Sequence, residues 1–195
     1  MVFLTLYLTQ RLGFTILEAG SVFTVYGLGS MAGVYLGGRL VQPLGAVRVQ
    51  ILGLILSVPV YFLIPTLSSW TSVATGMFLL SIFVSSVRPA NGVAIAQFTD
   101  PGLQTRAYGL QRMAGNLGFS IGPAIGGVLA EIDFVWLFIV DGISTGFGGL
   151  FLMWFFGFGK NVPADEAAKI QKQACLLYTS PSPRDATLSR MPSSA

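Results

Sequence analysis

Five stretches of about 20 nearly uncharged residues dominate this sequence, and that length of apolar helix matches the hydrocarbon thickness of a bilayer. They run over residues 19–38, 47–67, 71–97, 111–130 and 134–158, and none contains more than one Asp, Glu, Lys or Arg. Lipid offers no hydrogen-bond partner to a backbone, so each stretch must satisfy its own N–H and C=O groups as a helix. The fold class that follows is an all-α membrane protein. Composition agrees: 10% of residues are charged, against about 25% in soluble domains, and the mean hydropathy is +0.71. The 24 glycines and 10 prolines lie inside apolar runs and not in a triplet repeat, which excludes collagen and simple linkers. Membrane helices tolerate both residue types.

Residues 2–8 are apolar but too short to span, and they run straight into 9–13. They read as the end of a partial first helix that begins upstream. A basic n-region and a cleavage site are absent, so this opening is not a secretory signal peptide. The membrane half-domain is expected to cover 1–159. Residues 160–174, with Asp165, Glu166, Lys169 and Lys172, resemble a short amphipathic cytoplasmic linker. Residues 175–195 are rich in Ser and Pro without hydrophobic period and are expected to be disordered. The string LLYTSPSPRD resembles translated sequencing-adapter read-through, so 175–195 is expected to be a non-native tail; a natural flexible tail is the alternative.

Short connections make neighbouring helices antiparallel, so the Lys/Arg bias between alternate loops sets the orientation of all of them. One end carries Arg39, Arg48, Arg106, Arg112, Lys160, Lys169 and Lys172; the other carries Arg11 with Glu18, Glu131 and Asp133. The first end is expected to be cytoplasmic, and membrane lipid is the first partner. The net charge of +3 comes from scattered residues and forms no basic stripe, so no nucleic-acid partner is expected. With no histidine and a single cysteine, Cys175, the sequence has no material for disulfides, zinc sites or His-based catalysis. No metal, no cofactor and no enzymatic activity are expected. No Walker-type phosphate loop occurs, which disfavours an ATP-driven pump.

Several positions inside the apolar stretches carry more than hydrophobicity. Gly115, Gly118, Gly122 and Gly126 recur every three or four residues, so one helix face is nearly bare and open to close approach by a neighbour, while Pro123 invites a bend. Gly29, Gly33 and Gly37 give a second such face. Arg88 lies about 13 Å inside the 71–97 span, where an uncompensated arginine costs about 2.5 to 3.5 kcal/mol, so it is expected to face the bundle interior. Ser81, Ser85, Arg88 and Gly92 share a helical face and predict a polar stripe. Snorkelling of Arg88 to the headgroups is the alternative. Asp141 lies about 10 Å inside the last span, an intramembrane acid able to carry a proton or meet a cation. The difference in depth argues against direct pairing of Arg88 with Asp141.

Three of these patterns carry a family resemblance. Gly118-x-x-x-Gly122-Pro123-x-x-Gly126-Gly127 resembles the fifth-helix motif C of the major facilitator superfamily, with Ala114 where the family often has another glycine. Arg88-x-x-Asn91-Gly92 resembles the fourth-helix motif B, with Asn91 in place of glutamine. The turn from Gly37 to Arg48 is similar to motif A at Gly38, Leu40 and Gly45, then departs from it at Gln42, Pro43, Ala46 and Val47, which puts a charged latch in doubt and leaves Arg39 and Arg48 as its possible partners.

The resemblance implies the N-terminal six-helix half of a transporter bundle: five full spans plus the partial first helix, completed by a C-terminal half of the same protein. It implies secondary active transport, with motif C associated with proton-coupled drug efflux and the motif B arginine with proton coupling. Small molecules and protons are then the partners, Arg88, Asn91, Gln97 and Asp141 the candidates for coupling or substrate contact, and Gly118, Gly122, Pro123, Gly126, Gly127, Gly38 and Gly45 the candidates for conformational helix interfaces. The expected location is the plasma (inner) membrane of a bacterium. A metabolite uniporter or proton symporter, and a nontransporting membrane scaffold or receptor, remain the alternatives.

Overall fold

In the computed structural model the described residues are 2–100 and 102–157; the expected linker at 160–174 and tail at 175–195, including Lys160, Lys169, Lys172 and Cys175, lie outside them. The chain opens with the short helix α1 (Val2–Leu6), which widens into a π-helical turn over Tyr7–Arg11. Five long helices follow: α2 (Ile16–Leu44), α3 (Ala46–Leu63, extended by a 3-10 turn over Ile64–Thr66), α4 (Trp70–Phe98), α5 (Gln104–Ile132) and α6 (Val135–Phe156). All five are long and apolar enough to cross a membrane, and no strand occurs among the described residues.

The helices outrun the apolar stretches at their charged ends. α2 continues six residues past Gly38 to Leu44, and α5 begins at Gln104, ahead of the expected 111. An arginine ends an apolar run, but its stem lies along the helix while its head reaches water, so the backbone ladder continues through it. Arg39, Arg106 and Arg112 therefore sit on helix ends and not in loops. Likewise the expected loop at 9–13 is helical through Arg11: the Leu12 N–H donates to the Tyr7 carbonyl at 3.2 Å and the Phe14 N–H to the Leu8 carbonyl at 3.0 Å.

Local chemistry fixes where α2 starts and stops. Thr15 and Glu18 form a capping box: the Glu18 N–H donates to Thr15 Oγ1 at 3.3 Å and the Thr15 N–H to Glu18 Oε2 at 2.9 Å, which satisfies two donors the first turn leaves orphaned. At the other end Pro43 removes a donor from the last turn, and Gly45 reverses the chain alone. Its φ of 87° and ψ of 153° lie in a region open essentially only to glycine. The motif-A-like turn expected from Gly37 to Arg48 is thus one residue long, with helix on both sides.

α4 is the central element. α2 packs along it more extensively than any other pair of helices, α3 packs on it from a second side, and α6 lies against α3. The α2–α4 seam is made by glycine. A Cβ at Gly33 would lie 2.5 Å from the Ile82 carbonyl oxygen, and one at Gly37 2.5 Å from that of Ser86. At Gly29 a Cβ would collide with Ser81 and the Phe78 carbonyl. Backbone therefore rests on backbone over three turns, the close approach that small residues permit in membranes. A second seam joins α6 to α3: Gly142 faces Tyr61 and Phe62, Gly146 faces Val58, and Gly149 faces Leu54 and Ile55. Around the acidic ends of the helices a cluster of Tyr7, Leu8, Val22, Ile64, Val73, Met77 and Phe138 closes the core, with the Tyr7 and Phe138 rings edge-on at 5.0 Å.

α5 differs from the rest. Gly126 is its one buried residue, seated on Phe3 of α1. At the opposite end Gln104 Nε2 donates to the Ala96 carbonyl at 3.1 Å and the Tyr108 hydroxyl to the Gly92 carbonyl at 2.7 Å, so α5 hangs from α4 by side chains that grip its backbone.

Two substitutions test these points. Gly33→Ala gains helix propensity of about 1 kcal/mol, but the methyl meets a carbonyl that belongs to a helix and cannot swing away; overpacking of about 1 to 3 kcal/mol then wins. The expected outcome is a lowered Tm in detergent, with Gly38→Ala, where nothing lies within 4 Å, leaving Tm unchanged or raised. Gly45→Ala forces an alanine into glycine-only backbone and is expected to cost about 1 to 3 kcal/mol, measured in the same melt.

Candidate functional site

Arg88 occupies α4 at about 27 Å from the Trp70 end and about 15 Å from the Phe98 end, counting about 1.5 Å of rise per residue. Proline at 89 leaves the Ser85 carbonyl without its usual donor one turn earlier, and the helix continues through it. The predicted polar stripe divides here. Ser81 and Ser85 are buried against α2, where Ser85 Oγ and Ser30 Oγ share a hydrogen bond of 2.8 Å, whereas Arg88 is exposed. Among the described residues no carboxylate lies within ion-pair distance of Arg88. Asn91 and Gln97 are half-buried further along α4, without a side-chain hydrogen bond among the described residues.

Asp141 sits about 9 Å from the Val135 end of α6, on its exposed side. The structure does not bring it to Arg88. It directly precedes Gly142, the glycine through which α6 rests on Tyr61 and Phe62 of α3. Tyr61 is half-buried at that contact and packs on the hydrophobic core, as does Tyr26 of α2. The spacing of Gly142, Gly146 and Gly149, the same small-residue signal as on α2 and α5, was the clue that α6 would lie close on α3.

The motif-C-like face splits as well. Gly126 packs on Phe3 and a Cβ at Gly127 would lie 3.9 Å from the same ring, but a Cβ at Gly115, Gly118 or Gly122 would meet no neighbour within 4 Å, and Pro123 is exposed. Near the basic end Gly38 is open, and Arg39 lies over the Tyr35 ring at 5.2 Å from its centroid. At the acidic end Arg11 of the π-helical turn pairs with Asp133 between α5 and α6 at 3.8 Å, and the Trp70 indole donates to Ser21 Oγ at 3.1 Å.

A membrane bundle of six helical elements with a deep arginine on its fourth and an open glycine–proline face on its fifth defines a class before any comparison is made. The sequence profile of the Major Facilitator Superfamily matches residues 1–189, and the chain belongs to that superfamily. It is 30% identical over 149 residues to human Major facilitator superfamily domain-containing protein 10, covering 75% of this chain and 31% of that one. Uncharacterized MFS-type transporter YttB of Bacillus subtilis (strain 168) is 25% identical over 169 residues, 85% of this chain and 41% of the relative. Uncharacterized MFS-type transporter YceJ of the same strain is 28% identical over 129 residues, 66% and 33% respectively. The chain thus spans between 31% and 41% of the length of these curated relatives.

The Ser30–Ser85 bond is a small term beside the glycine contacts around it. Interhelical hydrogen bonds in membranes average about 0.6 kcal/mol. Ser85→Ala is therefore expected to lower stability by less than Gly33→Ala does, in parallel detergent melts; an equal or larger loss would show that the hydroxyl pair and not the glycine stripe holds α2 to α4.

Proposed function

We propose that this chain forms the N-terminal half of a secondary active transporter that exports small molecules, drugs among them, in exchange for protons by alternating access. Two halves would rock about a site near the membrane midplane. The observation that carries the reading is Arg88: a permanent charge more than a dozen ångströms from either end of its helix, exposed on this chain. Facing lipid, it would cost about 2.5 to 3.5 kcal/mol or more. Facing a water-filled cavity between two halves, that cost disappears.

The bare face at Gly115, Gly118 and Gly122 supports the same arrangement, because it offers a close-packing surface for a helix of the C-terminal half. Gly126, Gly127 and Pro123 would set the bend of α5 at that interface, and Gly38 and Gly45 the joint between α2 and α3. Arg88, with Asn91 and Gln97 along the same helix, would contact substrate or couple its passage to a proton, and Asp141 would bind the proton. The family relationship favours a transporter over an enzyme, and two of the three relatives come from a bacterium, which favours the plasma membrane of a bacterium as the location.

In the full-length protein reconstituted in vesicles, ethidium flux driven by an imposed pH gradient is expected to fall about tenfold or more in Arg88→Ala, equivalent to about 1.4 kcal/mol of barrier. Unchanged proton-driven flux would remove Arg88 from coupling. Wild-type flux indifferent to the gradient would favour a uniporter.

A further inference from the structure

A glutamine lies in the apolar interior of the bundle with its amide nitrogen unpaired. Gln50, on the second turn of α3, is 6% exposed, and its Nε2 is buried without a hydrogen-bond partner among the described residues. An amide nitrogen carries two donors, and leaving them unpaired away from water costs on the order of tenfold or more in the folding equilibrium. Packing gives no reason for that cost. The buried positions beside it on α3, Val47, Val49 and Ile51, are apolar, and a methionine would fill the same space.

The seam between α3 and α4 shows which acceptors are near. A Cβ at Gly53 would lie 2.9 Å from the Phe83 carbonyl oxygen, 2.9 Å from Ser86 Oγ and 2.8 Å from Val87 Cγ2, so Gly53 stands level with that turn of α4. Gln50 lies on the same side of α3, about 4.5 Å nearer the basic end. Along the antiparallel α4 this is the level of the turn that contains Pro89. Proline has no N–H, so the Ser85 carbonyl loses its α-helical donor, and that carbonyl points along the axis toward residue 89. Ser85 and Ser86 are both buried. Ser86 faces the crease between α3 and α2, where Gly37 rests on its backbone. Its hydroxyl donates to the Phe83 carbonyl at 2.7 Å and keeps the capacity to accept. An orphan donor on α3 and an orphan acceptor on α4 therefore meet at one level of the bundle, beside an accepting hydroxyl.

We propose that α3 and α4 enclose a binding site for a water molecule, which accepts from Gln50 Nε2 and donates to the Ser85 carbonyl and to Ser86 Oγ. A buried water makes about three such bonds. It returns to the Ser85 carbonyl the donor that Pro89 removed, so α4 carries a proline directly after Arg88 without an unsatisfied acceptor in the apolar layer. Gln50 is kept as the group that holds this water. The site stands whether or not the chain exchanges protons for a substrate.

A double-mutant cycle on the full chain in mixed micelles, unfolded reversibly with sodium dodecyl sulfate, tests the site. Gln50→Met keeps the side-chain length and removes the donors; Pro89→Ala returns an N–H to the Ser85 carbonyl. In the wild-type background Gln50→Met is expected to lower the folding equilibrium constant about fivefold or more. In the Pro89→Ala background it is expected to lower it by about twofold or less, or to raise it. A rise in both backgrounds would show that the amide has no partner, and an equal fall in both that it serves packing alone; either overturns the site. A density map of the unaltered protein, at a resolution that shows ordered water, needs no variant to fold. It is expected to show a water peak within hydrogen-bond distance of both Gln50 Nε2 and the Ser85 carbonyl oxygen. A direct bond between the two groups, or a separation that one water cannot bridge, would overturn the site.

Discussion

Contact of backbone with backbone between α2 and α4 is the constraint on which the rest of this bundle depends. Lipid tails are as apolar as leucine side chains, so no hydrophobic gain drives helices together once they are inserted. What remains is dispersion, and its strength falls steeply with small gaps. Gly29, Gly33 and Gly37 convert one side of α2 into a groove that the ridge at Phe78, Ile82 and Ser86 fills. With α4 held there, α3 docks on its flank through Gly53, whose Cβ would press on Val87 and Ser86, and α6 docks on α3. The helices are thus attached in series, each through its own glycines.

Three glycine stripes of similar spacing have three different fates. Those on α2 and α6 are filled by neighbours within the chain; that on α5 is filled only where Phe3 reaches Gly126. Nothing in the spacing distinguishes them. A bare helix face states that something approaches closely but not what, and the answer depends on which helices the connections leave free to swing inward. α5 is tethered by Gln104 and Tyr108 at one end and by Phe3 at the other, and between these tethers its face stays open.

The spans and their number were legible in the sequence because the energy that writes them, transfer of about 20 residues into hydrocarbon, is large and local. Helix ends were less legible. Charge marks the edge of the apolar layer, whereas the ladder of hydrogen bonds stops where a residue such as Gly45 or a cap such as Thr15 stops it. Arg88 and Asp141 announced themselves as charges out of place, and their depths along α4 and α6 already argued against a direct pair. Ser85 was assigned to a polar stripe with Arg88 and instead turned to Ser30, since two residues within one helical turn of each other can still answer to different neighbours. The α3–α6 contact was less legible still: Tyr61 and Phe62 obey the hydrophobic pattern, and only the packing shows that Gly142 is what they meet.

The separation of Arg88 from Asp141 bears on how a bundle of this kind can move without losing its charges. A direct Arg–Asp pair in low dielectric is a deep well, and separating it during a rocking motion would leave two uncompensated charges. Charges kept on different helices and at different depths, Arg88 on α4 and Asp141 on α6, avoid that trap. The rigid seams at Gly33 and Gly142 hold the helices that carry these groups at fixed spacing, while a shift of α5 along its open face disturbs neither seam. In such an arrangement the glycine contacts supply the stiffness, and the open face of α5 leaves the freedom to move.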